Sequence, residues 1–396
     1  MYIRPQSHIL QERIAEPRQF IQVIVGPRQV GKSTTVQQVL EETTIPHIYE
    51  TADTVEPSQS MWIHEIWERV RAKMEFSHLS EYLLVIDEIQ KINNWSEYVK
   101  KEWDFDTRHK RNIKVVLLGS SRIMLQHGLT ESLMGRFELI RMGHWTYMEM
   151  RDAFGWDINQ YIYYGGYPAG ATLIQKETRW KNYVRDAIIA PSITKDVLMT
   201  SFIYKPALLK QLFELGCAYS GEILSLNKML GQLQDAGNVT TLAAYITLLD
   251  EANLLKSLHK YANDTARRYN SIPKYQVYNT ALLTQYSGTT FENDFTTPSR
   301  WGRWVESAVG AYLVNCSQEV GYTVSYWREN NNEVDFILRK QEQTVAIEVK
   351  SGKRMMNKGL SVFSQKFNPK YAIVVGAEGF SLEEFFLMDL KVLFNL

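Results

Sequence analysis

Apolar residues fall into short continuous runs separated by longer stretches of helical spacing. FIQVIV at 20–25, YLLVIDE at 82–88 and IKVVLLGSS at 113–121 have the unbroken pattern of strands buried on both faces. ELIRMG at 138–143 predicts one further short strand. The stretch ending near Glu42, and residues 59–76 and 95–111, read as helices between them. Such alternation predicts a parallel sheet covered on both sides and complete near residue 145. From Thr146 to about Leu198 the strand signal stops, and the chain reads as a small helical subdomain broken by YYGGYPAG at 163–170. After Pro206, ALLKQLFELGCAYS, LSLNKMLGQL and VTTLAAYITLLDEA give three short helices, and Leu254 and Leu255 start a strand. That order predicts a winged helix to about Tyr278. The remainder predicts a separate α/β domain. It has a helix at about 302–315, strands near 322–328, 333–339 and 344–350, a helix near 355–367 and a strand at 371–376. The expected modules are therefore 1–145, 146–200, 201–278 and 279–396.

Composition narrows the functional classes. With 45% hydrophobic and 22% charged residues, the chain reads as a folded globular protein rather than a disordered or fibrous one. Its two cysteines, Cys217 and Cys316, are too few for a disulfide framework, and a reducing, cytoplasmic setting is the expectation. No apolar run reaches the roughly 18 residues of a membrane span, and the N-terminus lacks the apolar stretch of a signal peptide. No membrane partner is expected. The 44 Lys and Arg balance 44 Asp and Glu, so any contact with DNA must come from a local surface.

The most specific motif follows the first strand. Gly26, Pro27, Arg28, Gln29, Val30, Gly31, Lys32 and Ser33 satisfy the P-loop pattern, with Thr34 continuing into a helix. Glycines let successive backbone N–H groups turn toward phosphate oxygens, and the helix N-terminus adds a favourable dipole. Lys32 is expected to reach the β and γ phosphates of ATP, and Ser33 to ligate Mg²⁺. Arg28 either adds charge toward the phosphates or faces solvent. At the end of the second apolar run, Asp87 is expected to hold Mg²⁺ through its water shell and Glu88 to orient the attacking water.

The order of P-loop, Asp-Glu strand, LLGSS strand and LMGRFEL resembles AAA+ ATPases. The resemblance implies that Ser120, with Ser121 as the alternative, senses the γ-phosphate. It also implies that Arg136 is a finger acting on a neighbouring subunit, so that hydrolysis needs a homo-oligomer, commonly a ring. On residues alone a surface or helix-end arginine explains Arg136 equally well. More narrowly, GPRQVGKST, LLVIDEIQKINNW, LLGSSRIML, LMGRFEL and YYGGYPAG together resemble the ATPases with an AAA_14-type P-loop domain and the C-terminal domain of unknown function DUF4143. That resemblance covers nearly the whole chain and identifies no substrate.

A second constellation lies near the C-terminus. Glu348 and Lys350, two apart on a strand, share a face, with Ile347 and Val349 on the other. The order Glu306 on a helix, Asp335 on a strand, then Glu348 and Lys350 resembles the PD-(D/E)XK nuclease fold. There it implies Mg²⁺ bound by Asp335 and Glu348, water activated by Lys350, and support from Glu306. Ordinary surface pairs are the alternative, and Glu333 shares a face with Asp335.

In the winged-helix stretch, Thr240, Thr241 and Tyr245 are polar positions of the third helix. Lys256, Lys260, Arg267, Arg268 and Lys274 cluster on the expected wing. The expected fold is thus α/β: a P-loop AAA+ domain with a helical lid, then a winged helix and a nuclease-like domain. The leading functional reading is an ATP-hydrolysing protein acting on DNA. The alternative is an ATP-dependent switch that docks a protein partner and carries an inactive nuclease fold.

Overall fold

Continuous apolar runs build the first sheet. The computed structural model describes residues 1–119, 129, 132–198, 203–234, 237–262, 271–350, 352, 358–377 and 379–394, in two units, 1–143 and 144–396. In the first unit the strands are β1 (Ile21–Val25), β2 (His47–Thr51), β3 (Tyr82–Asp87), β4 (Ile113–Gly119) and β5 (Phe137–Arg141). They pair in parallel in the order β2-β3-β4-β1-β5. The three inner strands are buried at every position, as their unbroken apolar sequences require, while β2 and β5 are mostly half-buried edges. Parallel register brings the C-terminal ends of β1 and β3 to the same side of the sheet, and the P-loop and Asp87 occupy those ends.

Helices α1 (Pro5–Ala15), α2 (Lys32–Glu42), α3 (Met61–Phe76) and α4 (Trp95–Arg108) accompany the sheet. Ile63, Ile66, Trp67 and Val70 recur at helical spacing on α3 and join Val99 and Trp103 of α4 over Leu84, Ile86, Val115 and Leu117. A charged network lies within this packing. Buried Arg71 donates to Asp106 at 2.9 Å and to Glu102 at 2.6 Å, and the Trp67 indole donates to Asp106 at 3.1 Å. The network locks α3 to α4 behind the sheet.

The second unit begins with α5 (Tyr147–Phe154), α6 (Ile158–Tyr164) and α7 (Glu177–Tyr183), followed by π-helical turns at 184–189 and 192–198. The glycine pair of YYGGYPAG has a packing reason. Gly165 has φ +71°, and a Cβ there would lie 1.9 Å from Asn279 Oδ1; a Cβ on Gly166 would lie 2.1 Å from the Trp145 carbonyl oxygen. Next come α8 (Pro206–Ala218), α9 (Leu226–Leu230), α10 (Val239–Glu251) and the antiparallel pair β6 (Leu255–Leu258) and β7 (Lys274–Val277).

After the short helices α11 (Thr280–Gln285) and α12 (Phe291–Phe295), the long α13 (Pro298–Val320) starts with proline at its first position and ends at Gly321, φ +82°. The final sheet contains β8 (Thr323–Glu329), β9 (Asn332–Lys340), β10 (Gln343–Lys350) and β11 (Tyr371–Gly376), in the order β11-β10-β9-β8. β8 with β9 and β9 with β10 pair antiparallel, and β10 with β11 is parallel. Helix α14 (Lys358–Phe367) packs Leu360 and Phe363 beneath Trp327, Val334 and Ile337. A last helix, α15 (Leu382–Leu387), carries a capping box from Ser381 and Glu384. Among the described residues no helix is long and apolar enough to cross a membrane.

Two expectations for the winged-helix stretch are corrected. Tyr245 of α10 is buried, accepting a hydrogen bond from the Lys205 backbone, because it falls on the apolar face with Leu242, Ile246 and Leu249. Lys274, expected on an exposed wing, is fully buried in β7. Lys256 pairs with Asp250 at 2.9 Å, and Arg267 and Arg268 lie outside the described residues.

Candidate functional site

The N-terminal site is built where β1 runs into α2. At Gly26 a Cβ would lie 2.1 Å from the Met142 carbonyl oxygen, so only glycine lets the loop leave the sheet on this path. Gln29 and Gly31 take left-handed conformations, φ +64° and +91°, turning the chain before Lys32 opens the helix. The Lys32 ammonium curls back and donates to the carbonyls of Gly26 at 2.9 Å and Pro27 at 2.8 Å. Arg28 is half-buried and Thr34 exposed.

From the first turn of α2 the Ser33 hydroxyl donates to Asp87 Oδ2 at 2.7 Å. The same oxygen accepts from the Tyr49 hydroxyl on β2, and the Glu88 backbone donates to Asp87 Oδ1 at 2.8 Å. Burial, reinforced by the bond to Asp87, holds the Tyr49 phenol well above its ordinary pKa, so it stays a donor. Glu88 follows in a left-handed turn, φ +53°, and accepts from the Gln90 amide at 2.6 Å. A serine hydroxyl and a buried carboxylate converging beside a helix N-terminus fit Mg²⁺, a hard cation that takes oxygen ligands and keeps several waters.

The C-terminal carboxylates come together from α13, β9 and β10, but a lysine stands among them. Lys274 Nζ lies 2.6 Å from Glu306 Oε1 and 3.8 Å from Asp335 Oδ1, and donates to the Asp335 carbonyl at 3.3 Å. Asp335 Oδ2 accepts from the Val349 backbone at 2.8 Å. As the two-residue strand repeat requires, Glu348 and Lys350 meet on one face, Oε1 to Nζ 2.5 Å. Glu348 Oε2 is buried without a hydrogen-bond partner.

Burial raises the carboxyl pKa of Glu306 to about 7 against the opposing pull of Lys274. Burial, with Asp335 beside it, likewise raises Glu348 to about 7. Burial disfavours the Lys274 ammonium, yet Glu306 and Asp335 outweigh it and keep its pKa above the ordinary value. Among the described residues, His64, Glu68 and Glu102 are the one group of metal-ligand type with donor atoms mutually within 4.8 Å. Arg71 neutralises that trio by pairing with both glutamates. The Glu306, Asp335 and Glu348 set does not fit a metal as arranged, because an ammonium occupies its Glu306 and Asp335 side.

Sequence comparison agrees with the geometry of the first site. Residues 18–151 match the AAA domain family described as AAA_14. This segment is an AAA domain. Residues 155–293 and 301–393 match two domains of unknown function, DUF8612 and DUF4143. The chain is 23% identical over 348 residues to an uncharacterized protein of Haemophilus influenzae, covering 83% of this chain and 82% of the relative. An uncharacterized protein of Mycobacterium tuberculosis is 22% identical over 357 residues, covering 88% and 74%. Among solved structures, the ORC2 protein of Aeropyrum pernix aligns with TM-score 0.42 at 12% identity, over 75% of this chain and 97% of that one. AMPPCP-bound DnaA of Aquifex aeolicus aligns with TM-score 0.32 at 13% identity, over 63% and 90%.

Within the AAA domain, the structure brings Lys32, Ser33, Asp87 and Glu88 to one end of the sheet. Arg136 lies at the opposite end, where its backbone carbonyl accepts from Ile21 at the start of β1. Its guanidinium forms a fork to Asp104, Nε to Oδ1 2.7 Å and Nη2 to Oδ2 3.1 Å. The length of β1 separates it from the P-loop, about 15 Å at the usual strand rise. Ser120 and Ser121 lie outside the described residues.

Sequence reasoning missed two participants. Tyr49 sits in HIYET, a five-residue edge strand whose mixed polarity gives no continuous apolar run. Lys274 precedes the buried residues Tyr275 and Val277 on a four-residue strand, and its neighbours offered no sign that it is paired internally.

Proposed function

We propose that this protein binds and hydrolyses ATP with Mg²⁺ in its AAA domain, and that the nucleotide state switches the docking of a protein partner. The observation that carries the ATPase reading is the Ser33 to Asp87 hydrogen bond, which joins the P-loop to the strand-end carboxylate. Lys32 would exchange the two loop carbonyls for β and γ phosphate oxygens, and backbone N–H groups of the loop and α2 would cradle the rest. Ser33 and Asp87 would hold Mg²⁺, which would offset the negative charge of the phosphates. Glu88 would orient the attacking water, with Ser120 as the γ-phosphate sensor.

Arg136 would act on the site of a neighbouring copy in a homo-oligomer. Its separation from its own P-loop supports action in trans, and Asp104 would release it on assembly.

A protein partner is favoured over DNA by the winged-helix stretch itself. Helix α10 contains no Lys or Arg, Lys256 is paired with Asp250 and Lys274 is buried, which leaves fewer wing cations to meet phosphates than the sequence suggests. The experiment is ATP turnover by the purified protein, by Lys32→Ala and by Glu88→Gln, with and without linear, single-stranded and branched DNA. Turnover lost in both variants and unchanged by DNA supports the proposal. Stimulation by any DNA form restores the DNA-acting reading, and turnover surviving Lys32→Ala removes the ATPase assignment.

A further inference from the structure

The Glu306, Asp335, Glu348 and Lys350 constellation has the residue types of a metal-dependent nuclease centre, yet its cation is already supplied by the chain. Lys274 enters from β7, outside the helix and strands that carry the carboxylates, and is fully buried. Its ammonium contacts Glu306 at 2.6 Å, lies 3.8 Å from Asp335 Oδ1, donates to the Asp335 carbonyl and sits 4.8 Å from the centre of the Phe336 ring. A buried ammonium needs compensating acceptors, and these carboxylates supply them.

A divalent cation at the same carboxylates would need oxygen ligands at about 2.0–2.1 Å in near-octahedral geometry, beside a positive charge that repels it. The remaining carboxylate oxygens are partly committed as well. Asp335 Oδ2 is held by the Val349 backbone and Glu348 Oε1 by Lys350. The backbone on either side of the lysine is also fixed, and before it Leu224 N donates to the Pro273 carbonyl at 3.1 Å. Tyr275 N donates to the Glu222 carbonyl at 3.0 Å, and Gly221 N to the Tyr275 carbonyl at 2.8 Å. Withdrawal of Lys274 would therefore require β7 itself to move.

We propose that Lys274 is a resident cation that takes the place of the divalent metal in the C-terminal carboxylate cluster. The cluster is then a metal-free ion-pair network joining β7, α13 and β9, and this segment does not cut nucleic acid by metal-assisted hydrolysis. The inference concerns only the second unit and holds whether or not the AAA domain hydrolyses ATP.

The test is Mn²⁺ binding, read by electron paramagnetic resonance on the nucleotide-free full chain. Every protein carries Asp87→Ala, so that the P-loop site contributes nothing. The parent should bind no stoichiometric Mn²⁺ that Asp335→Asn removes. Lys274→Met should bind one Mn²⁺ about tenfold or more tighter than the parent, because a repelling charge has gone and carboxylates are freed. Adding Asp335→Asn to Lys274→Met should abolish that gain. A parent that binds one Mn²⁺ lost in Asp335→Asn overturns the proposal, as does a folded Lys274→Met that gains no affinity. The parent against Asp335→Asn comparison, with folding checked by circular dichroism, decides the matter even if Lys274→Met fails to fold.

Discussion

The hydroxyl of Ser33 donates to Asp87 Oδ2 at 2.7 Å across 54 residues of sequence, tying the first turn of α2 to the end of β3. Both groups are oxygen ligands suited to Mg²⁺. Ser33→Ala and Asp87→Asn should each lower Mg²⁺-dependent ATP turnover by about 100-fold, the scale expected for removing an electrostatic element of a phosphoryl-transfer site. Binding of a fluorescent ATP analogue in EDTA should change much less. Equal losses with and without Mg²⁺ would contradict a metal-ligand role.

Tyr49 should act as a positioning residue for Asp87. Its hydroxyl donates to the same carboxylate oxygen as Ser33, and a hydrogen bond to a charged group contributes about 1.5–3 kcal/mol. Tyr49→Phe should raise the Mg²⁺ concentration for half-maximal turnover by about tenfold while leaving metal-free nucleotide affinity unchanged. An unchanged Mg²⁺ requirement would assign the tyrosine to packing alone.

The five-stranded sheet shows which parts of the fold the sequence carries openly. Strands β1, β3 and β4 are buried on both faces and announce themselves as apolar runs, and the P-loop pattern marks its own turn. Edge strand β2 and helix α1 are half-buried, with mixed polarity that matches no clean period, and both escaped the reading. The C-terminal carboxylates were legible because Glu348 and Lys350 are two apart on one strand. Their partner Lys274 was not, since no local period reports a contact between residues 32 and 61 positions away.

Arg71 should be among the most sensitive positions of the first unit. Its side chain is 5% exposed and faces Glu102 and Asp106, 3% and 0% exposed. Removing one partner of such a network leaves buried charge without compensation, and Arg71→Ala should destabilise the unit by about 3–5 kcal/mol. Urea unfolding followed by tryptophan fluorescence would measure this, because Trp67 shares Asp106 with the arginine. A loss below about 1 kcal/mol, the range of surface ion pairs, would show that the network is solvated.

Acidity should stabilise the second unit over a defined window. Burial raises the folded pKa of Glu306 and Glu348 to about 7, above the ordinary carboxyl value of 4.5. The folded state therefore binds more protons than the unfolded state between these limits, so stability falls as pH rises from about 4.5 to about 7. Glu306→Gln should flatten the dependence of the urea midpoint on pH across that interval. A midpoint that instead rises with pH in the parent, and is unaltered in Glu306→Gln, would refute the assignment.

The central claim is tested most directly by steady-state ATP turnover of the wild-type protein against Lys32→Ala and Glu88→Gln, with nucleotide binding measured in parallel. The account predicts Mg²⁺-dependent turnover in the wild type, loss of both binding and turnover in Lys32→Ala, and retained binding without turnover in Glu88→Gln. Wild-type levels of ATP turnover in Lys32→Ala would contradict it.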